Sequence, residues 1–331
     1  MLRHNRQTRH FTALLTALFV AALLAGCGNT ASLPSPISPQ SSDSYSGNVN
    51  PRLLVDVTWL SERQKSDPDR LILLDASDLA TYTAGHVPGA IHAWWQDAMD
   101  PNAPAYGMLL MPDENAPEPQ RMRLNFLEDL GILPDSTVVI YDNVRNRNAA
   151  KLVWTLQFLG YEQSAILDGG LGAWTGAGGS TEKYWNSPRK ITNPMITPRR
   201  DSYLVKDQLL NRIGNPAYII VDVRTDEEKR DDIDGTIELG AIPGSLSLPW
   251  SAFLDSETGL FLPEDQILRV LDKLGITPEK TIILYGRFGL ESSLTWIGLK
   301  MMGFPSILLY SGGWSEWAID PASPKVPFPA A

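Results

Sequence analysis

The chain repeats itself. Val138-Val139-Ile140-Tyr141-Asp142 leads to Leu159-Gly160-Tyr161, then Leu167-Asp168-Gly169-Gly170 and Trp174. Later, Ile282-Ile283-Leu284-Tyr285-Gly286 leads to Met302-Gly303-Phe304, then Tyr310-Ser311-Gly312-Gly313 and Trp317. Gly160, Gly170 and Trp174 return at one constant offset, as Gly303, Gly313 and Trp317. Upstream, Leu73-Leu74-Asp75 matches Val221-Asp222, and Val87-Pro88-Gly89 matches Ile242-Pro243-Gly244, at slightly larger offsets. Shared features in one order mark a duplicated unit whose copies differ by loop insertions. Any fold proposed for the chain must therefore be buildable twice, each time from about half of it.

Within each copy, short apolar runs alternate with longer helical patterns. Leu71–Leu74, Val138–Tyr141 and Ala165–Leu167 are short, apolar and rich in branched residues, as strands buried on both faces are. Tyr218–Val221, Ile282–Tyr285 and Ile307–Tyr310 repeat them. Leu124–Leu130 and Ala149–Leu159, with Ile267–Leu274 and Ser293–Met302 in the second copy, carry apolar residues at helical spacing, and Gly160 is placed to stop its helix. Strand–helix alternation predicts an α/β fold, each copy a mostly parallel sheet flanked by helices. The expected boundaries are 51–180 for the first copy and 201–325 for the second. Residues 181–200 form the linker, in a stretch that carries Pro188, Pro194 and Pro198.

The N-terminus reads as an address. Arg3, Arg6 and Arg9 precede the apolar run Phe11–Leu24, which is shorter than the roughly 20 residues a spanning helix needs. This is the pattern of a secretory signal peptide over residues 1–26. Its end, Leu24-Ala25-Gly26-Cys27, resembles the bacterial lipobox, which implies acylation of Cys27, a membrane lipid partner and a cell-envelope location on the extracytoplasmic side. Residues 27–50, rich in Ser, Pro, Asn and Gly, have too few large apolar groups for a core and predict a flexible tether. Loss of residues 1–26 removes three bases and no acid from a chain of 28 bases and 38 acids. A mature chain this acidic, without a clustered cationic patch, is not expected to bind nucleic acid. Cys27 is also the only cysteine, so no intramolecular disulfide or Cys-rich metal site can form.

The ordered set resembles the tandem rhodanese-domain family, as in thiosulfate and 3-mercaptopyruvate sulfurtransferases. The matching residues are Asp75, Gly85-His86-Val87-Pro88-Gly89-Ala90 and Leu167-Asp168-Gly169-Gly170 with Trp174. In the second copy they are Asp222-Val223-Arg224 with Glu228, Gly240-Ala241-Ile242-Pro243-Gly244, and Gly312-Gly313-Trp314 with Trp317. The resemblance implies two rhodanese-like domains. It also implies a cysteine at the end of the strand before the central helix, its thiolate cradled by backbone N–H groups that lower its pKa. That thiolate accepts a sulfane sulfur, holds it as a persulfide and passes it on.

Here the equivalent positions are Asp142 and Gly286. Asp142 is expected to cap the following helix; Gly286 has no side chain with which to attack. The catalytic set is thus expected to be empty. Ser292 and Ser293 are near, but a serine hydroxyl needs a neighbouring base, and His86 and His92 both lie in the first copy as expected turn or surface residues. The loop Gly286-Arg287-Phe288-Gly289-Leu290-Glu291-Ser292 keeps the shape of an anion cradle, although the Glu291 carboxylate opposes an incoming anion. The tryptophans are expected in the core and between the copies. No metal site and no cofactor is expected. The expected function is a lipid-anchored, non-catalytic rhodanese-like module that binds a small anion or a protein partner; the alternative is a sulfurtransferase with another nucleophile.

Overall fold

The computed structural model describes residues 53–98, 125–192, 194–230 and 238–328. The expected signal peptide, Cys27 and the tether lie outside the described residues.

Two five-stranded sheets are present, and every strand pairing in them is parallel. The first contains β1 (Leu54–Val55), β2 (Leu71–Asp75), β3 (Ile91–His92), β4 (Thr137–Tyr141) and β5 (Ser164–Leu167), in the order β1-β5-β4-β2-β3. The second contains β6 (Tyr203–Leu204), β7 (Tyr218–Asp222), β8 (Leu246–Ser247), β9 (Thr281–Tyr285) and β10 (Ile307–Tyr310), in the order β6-β10-β9-β7-β8. The duplication extends to register: Leu71 faces Thr137 as Tyr218 faces Thr281, and Asp75 faces Tyr141 as Asp222 faces Tyr285. β2, β4, β7 and β9 are buried from their second residue onward, because parallel sheets carry helices on both faces.

The long strands follow the sequence reading to within a residue. The edge strands β1, β3, β6 and β8 have two residues each, too short for any periodicity to reveal them. Gly160 ends the Arg147–Leu159 helix in the left-handed conformation (φ 98°), its N–H returned to the carbonyls of Gln157 and Leu156. That is the stop expected of it.

Two helices are unlike the rest. In Arg147–Leu159, every residue from Asn148 onward is buried, and in Glu291–Met301 every residue through Leu299 is. A helix buried all round needs partners on both sides. Each of these packs on its own sheet on one side and against the other helix on the other, so the inner faces of the two copies merge. One core cluster holds Leu74, Ile140, Trp154 and Leu156 of the first copy together with Leu284, Leu294, Ile297 and Leu299 of the second. Separate clusters cover the outer faces, around Leu60 and Trp174 in one copy and Leu209 and Trp317 in the other. By contrast, the surface helix Glu264–Lys273 buries only Ile267 and Leu271, one turn apart. The described residues of both copies accordingly fall in one compact unit.

A half of the chain produced alone would expose the inner face of its buried helix to water. The intact protein should therefore melt in a single calorimetric transition, and the fragments 51–180 and 201–325 should each lack a cooperative melt. Two resolved transitions, or a fragment that melts cooperatively alone, would contradict the shared core.

Candidate functional site

The loops of interest leave the central strands, β4 and β9, at their C-terminal edge and enter the two buried helices. Both are clamped in the same way. The carbonyl of Asp142 accepts from the Leu171 N–H at 3.0 Å, and the carbonyl of Gly286 from the Trp314 N–H at 2.8 Å. Gly170 and Gly313 stand beside these carbonyls with φ of 57° and 60°. A Cβ on Gly170 would collide with the Asp142 carbonyl, and one on Gly313 with those of Arg287 and Gly286. The repeated glycine is thus required by close approach of the loop as well as by its left-handed backbone. On the other flank, the strand-ending tyrosines hold the Pro-Gly turns: Val87 N–H donates to Tyr141 Oη at 2.9 Å and Ile242 N–H to Tyr285 Oη at 3.2 Å.

In the first copy the loop closes around its own carboxylate. Asp142 is buried, and four backbone N–H groups point at it. Oδ1 accepts from Val144 and Asn146, each at 2.8 Å. Oδ2 accepts from Asn148 at 2.8 Å and Ala149 at 3.0 Å. Arg145 and Asn146 both have φ of 61°, which curls successive amides toward one point as in an anion nest. Burial raises the Asp142 pKa, and the four amide donors oppose that rise. Asp142 satisfies the start of the helix as expected, but from a distance: the residue at the N-cap itself is Asn146.

The second copy reaches the same end by another route. Gly286 offers no side chain, and the space where its Cβ would lie is taken. The Oε2 of Glu291 is 2.5 Å from that position and the Cβ of Glu291 is 3.2 Å from it. Glu291 is itself buried (4 % exposed) and folds back so that Oε2 accepts from the Arg287 N–H at 3.2 Å. Burial and the nearby Glu228 charge raise its pKa, while Arg147 and the amides of Glu291 and Arg287 pull the other way. The expected anion loop, Gly286 to Ser292, therefore already contains a carboxylate beside Gly286. Ser292 and Ser293 are buried at the helix start. Ser293 Oγ reaches the Gly289 carbonyl at 3.4 Å, and the Ser292 hydroxyl has no partner in the structure.

Side chains of the first copy complete the second loop. Lys151, fully buried, donates from Nζ to the Gly289 carbonyl at 3.3 Å. Burial pushes its pKa down to about 8, and the Glu291 charge acts against the fall. Arg147 lies 3.5 Å from Glu228 and 5.3 Å from the centroid of the Trp250 ring. The Arg287 guanidinium, itself buried, donates to the Glu228 carbonyl at 2.5 Å. Neither Lys151 nor Arg147 was singled out in the sequence, where both are unremarkable positions in a helix of the other copy.

The remaining expectations separate cleanly. His86 lies in its turn, bonded through Nδ1 to the Tyr82 carbonyl at 2.8 Å and stacked on the Tyr82 ring. His92 lies on β3 and is tied to the Ser77 carbonyl at 3.0 Å. Neither approaches the second loop as a base. Trp154, Trp174, Trp296, Trp314 and Trp317 are buried. Trp94, Trp95 and Trp250 are half-buried, and Trp185, on the linker, is 61 % exposed, with one edge against Tyr82 and His92. Among the described residues no group of His, Cys, Asp and Glu is arranged to hold a metal ion, and no helix is long and apolar enough to cross a membrane.

Comparison with known proteins agrees with this architecture. The rhodanese-like domain matches residues 56–177 and again 205–320. The chain is 30% identical over 288 residues to the sulfur carrier protein TtuD of Thermus thermophilus, covering 82% of this chain and 95% of that one. It is 31% identical over 256 residues to a thiosulfate sulfurtransferase of Azotobacter vinelandii, covering 77% and 90%. Among solved structures, an anaerobic ergothioneine biosynthesis enzyme from Chlorobium limicola, in complex with trimethyl histidine, superposes with a TM-score of 0.70. The two are 23% identical over 83% of this chain and 70% of that one, a likeness of fold alone.

The buried Lys151 gives the site a pH signature. Its pKa falls from 10.5 to about 8 on folding, so between those values the unfolded chain binds the extra proton. Stability then rises with pH across this window, and it is lost again as pH falls through the folded pKa. Below it, burying the charge costs about 3 kcal/mol, at 1.36 kcal/mol per unit. Measured by urea unfolding, the wild type should gain on Lys151→Met between pH 8 and pH 10 by about 1 to 3 kcal/mol. An offset between the two proteins that stays constant over this range would contradict the burial of a charged Lys151.

Proposed function

We propose, for a chain that belongs to the rhodanese-like family in both of its halves, a binding or interaction role without sulfur transfer. The observation that carries this is a buried carboxylate of the chain itself at each of the two loops. In the family's chemistry a thiolate must sit in the amide cradle, accept sulfur and release it. In the first copy the cradle holds the Asp142 carboxylate on four amides. In the second, residue 286 is glycine and Glu291 fills the space. A buried carboxylate is a poor nucleophile for sulfane sulfur, and it takes up the positive end of the helix that would stabilise a thiolate.

The curated relatives named above include a sulfur carrier and a thiosulfate sulfurtransferase. The present chain keeps the scaffold of such proteins, and we read its function as what that scaffold does without its thiol. An external anion at the second loop has to displace Glu291, so this mouth favours a protein partner over a free oxyanion. The N-terminal sequence supports the rest of the proposal: acylated Cys27 anchors the body by a tether to an envelope membrane on the extracytoplasmic side. More than one acyl chain makes such anchoring stable.

Two experiments test the reading. Purified protein given thiosulfate and cyanide should produce no thiocyanate above the blank, and no mass gain of about 32 Da, one sulfur atom. Gly286→Cys alone places the new Cβ against Glu291, and the adjoining carboxylate holds the thiol pKa up. The double variant Gly286→Cys/Glu291→Ser should therefore exceed the single one by about tenfold or more in thiocyanate formed. Turnover by the wild type would contradict the proposal. For the anchor, Cys27→Ser should move the protein from the membrane fraction to the soluble one; unchanged membrane association would contradict lipidation at Cys27.

A further inference from the structure

The seam between the two copies has a second end. Roughly 15 Å along the paired helices from the two loops, where Arg147–Leu159 and Glu291–Met301 stop, lies a cavity of about 510 Å³. This is within the usual range for small-molecule sites. Both copies and the linker wall it: Trp154 and Phe158 from the first, Trp296, Lys300 and Phe304 from the second, and Arg199 between them. The linker is fixed over the helix end, with Thr197 and Arg199 N–H groups donating to the carbonyls of Leu159 and Phe158.

The cavity is lined by two cations and two carboxylates, and they are paired unevenly. The Arg199 guanidinium is paired with Glu162. Lys300 reaches the Pro305 carbonyl at 3.4 Å and stands 5.7 Å from the centroid of the Trp296 ring, with no carboxylate in ion-pair contact among the described residues. Burial and the Arg199 charge both push the Lys300 pKa down, and Asp201 is the smaller opposing influence. In addition, the indole N–H groups of Trp154 and Trp296, whose residues line the cavity, are buried without acceptors, a standing cost.

We propose that this cavity binds a small organic monoanion with a flat apolar body, an aryl carboxylate in chemical class. The carboxylate lies between Lys300 and Arg199, and the body lies against Trp296 and Phe304. Glu162 and Asp201 also line the cavity and restrict the ligand to one negative charge, because a second would be repelled by them. Dianions such as sulfate are disfavoured on that ground. The site is separate from both loops and does not rest on the function proposed above.

Phenylacetate is a suitable probe, with phenylacetamide as its uncharged counterpart, benzylamine as the cationic one and sulfate as the dianion. Each is titrated into the full-length protein by calorimetry and by the indole N–H resonances of Trp154 and Trp296. Phenylacetate should saturate and shift both resonances, Lys300→Met should weaken it by about tenfold, and Lys300→Arg should restore it. If Lys300→Met does not fold, the comparison of phenylacetate with phenylacetamide on the wild type decides alone. Equal binding of phenylacetamide, tighter binding of benzylamine or sulfate, or no saturation at about 10 mM phenylacetate would overturn the proposal.

Discussion

Backbone amides at the start of a buried helix must be given an acceptor, and this requirement organises the molecule. The first turn of any helix leaves N–H groups without intrahelical partners. When the helix is exposed, water serves. The Arg147–Leu159 and Glu291–Met301 helices are enclosed between two sheets, and water cannot be relied on. Each copy supplies a carboxylate of its own: Asp142 from the strand end before the helix, and Glu291 from the first residue of the helix itself. A thiolate or a bound oxyanion could meet the same need. In the function proposed here, a permanent internal anion serves where a transient one would, and the cradle is structural.

That substitution has electrostatic consequences in the shared core. Placing Glu291 in a buried loop calls for positive charge nearby, and the first copy provides it through Lys151 and Arg147. Burying Lys151 is unfavourable on its own, as the fall in its pKa records. It is tolerated because Nζ is bonded to the Gly289 carbonyl and feels the Glu291 charge. The two copies are therefore joined by polar contacts at the loop end of their helices and by Trp154, Leu156, Leu294 and Ile297 further along. Duplication has produced one body whose halves differ: side chains of the first copy complete the loop of the second.

Much of this was legible in the sequence, and the division has physical reasons. Gly160, Gly170, Gly303 and Gly313 announced the repeat because all four have left-handed backbone, and Gly170 and Gly313 also meet a carbonyl too closely for any Cβ. The long strands were legible because parallel strands buried on both faces must be continuously apolar. Gly286 was informative by what it lacks. The two-residue edge strands were not legible, since nothing periodic fits in two residues. Nor was the position of the Glu291 carboxylate: the sequence marks a charge near the cradle, but only the rotamer places it inside. Lys151 was hidden because its partner, Gly289, is in the other copy. Trp185 resembled the buried tryptophans in composition, but the linker holds it at the surface.

The central claim is that the chain's own carboxylate occupies the second cradle. It is tested most directly by a crystal structure of the protein at neutral pH, grown in excess thiosulfate. The account predicts the Glu291 carboxylate beside Gly286, accepting from the Arg287 N–H, with no thiosulfate in the loop. Thiosulfate bound to those amides, with Glu291 swung outward, would contradict it.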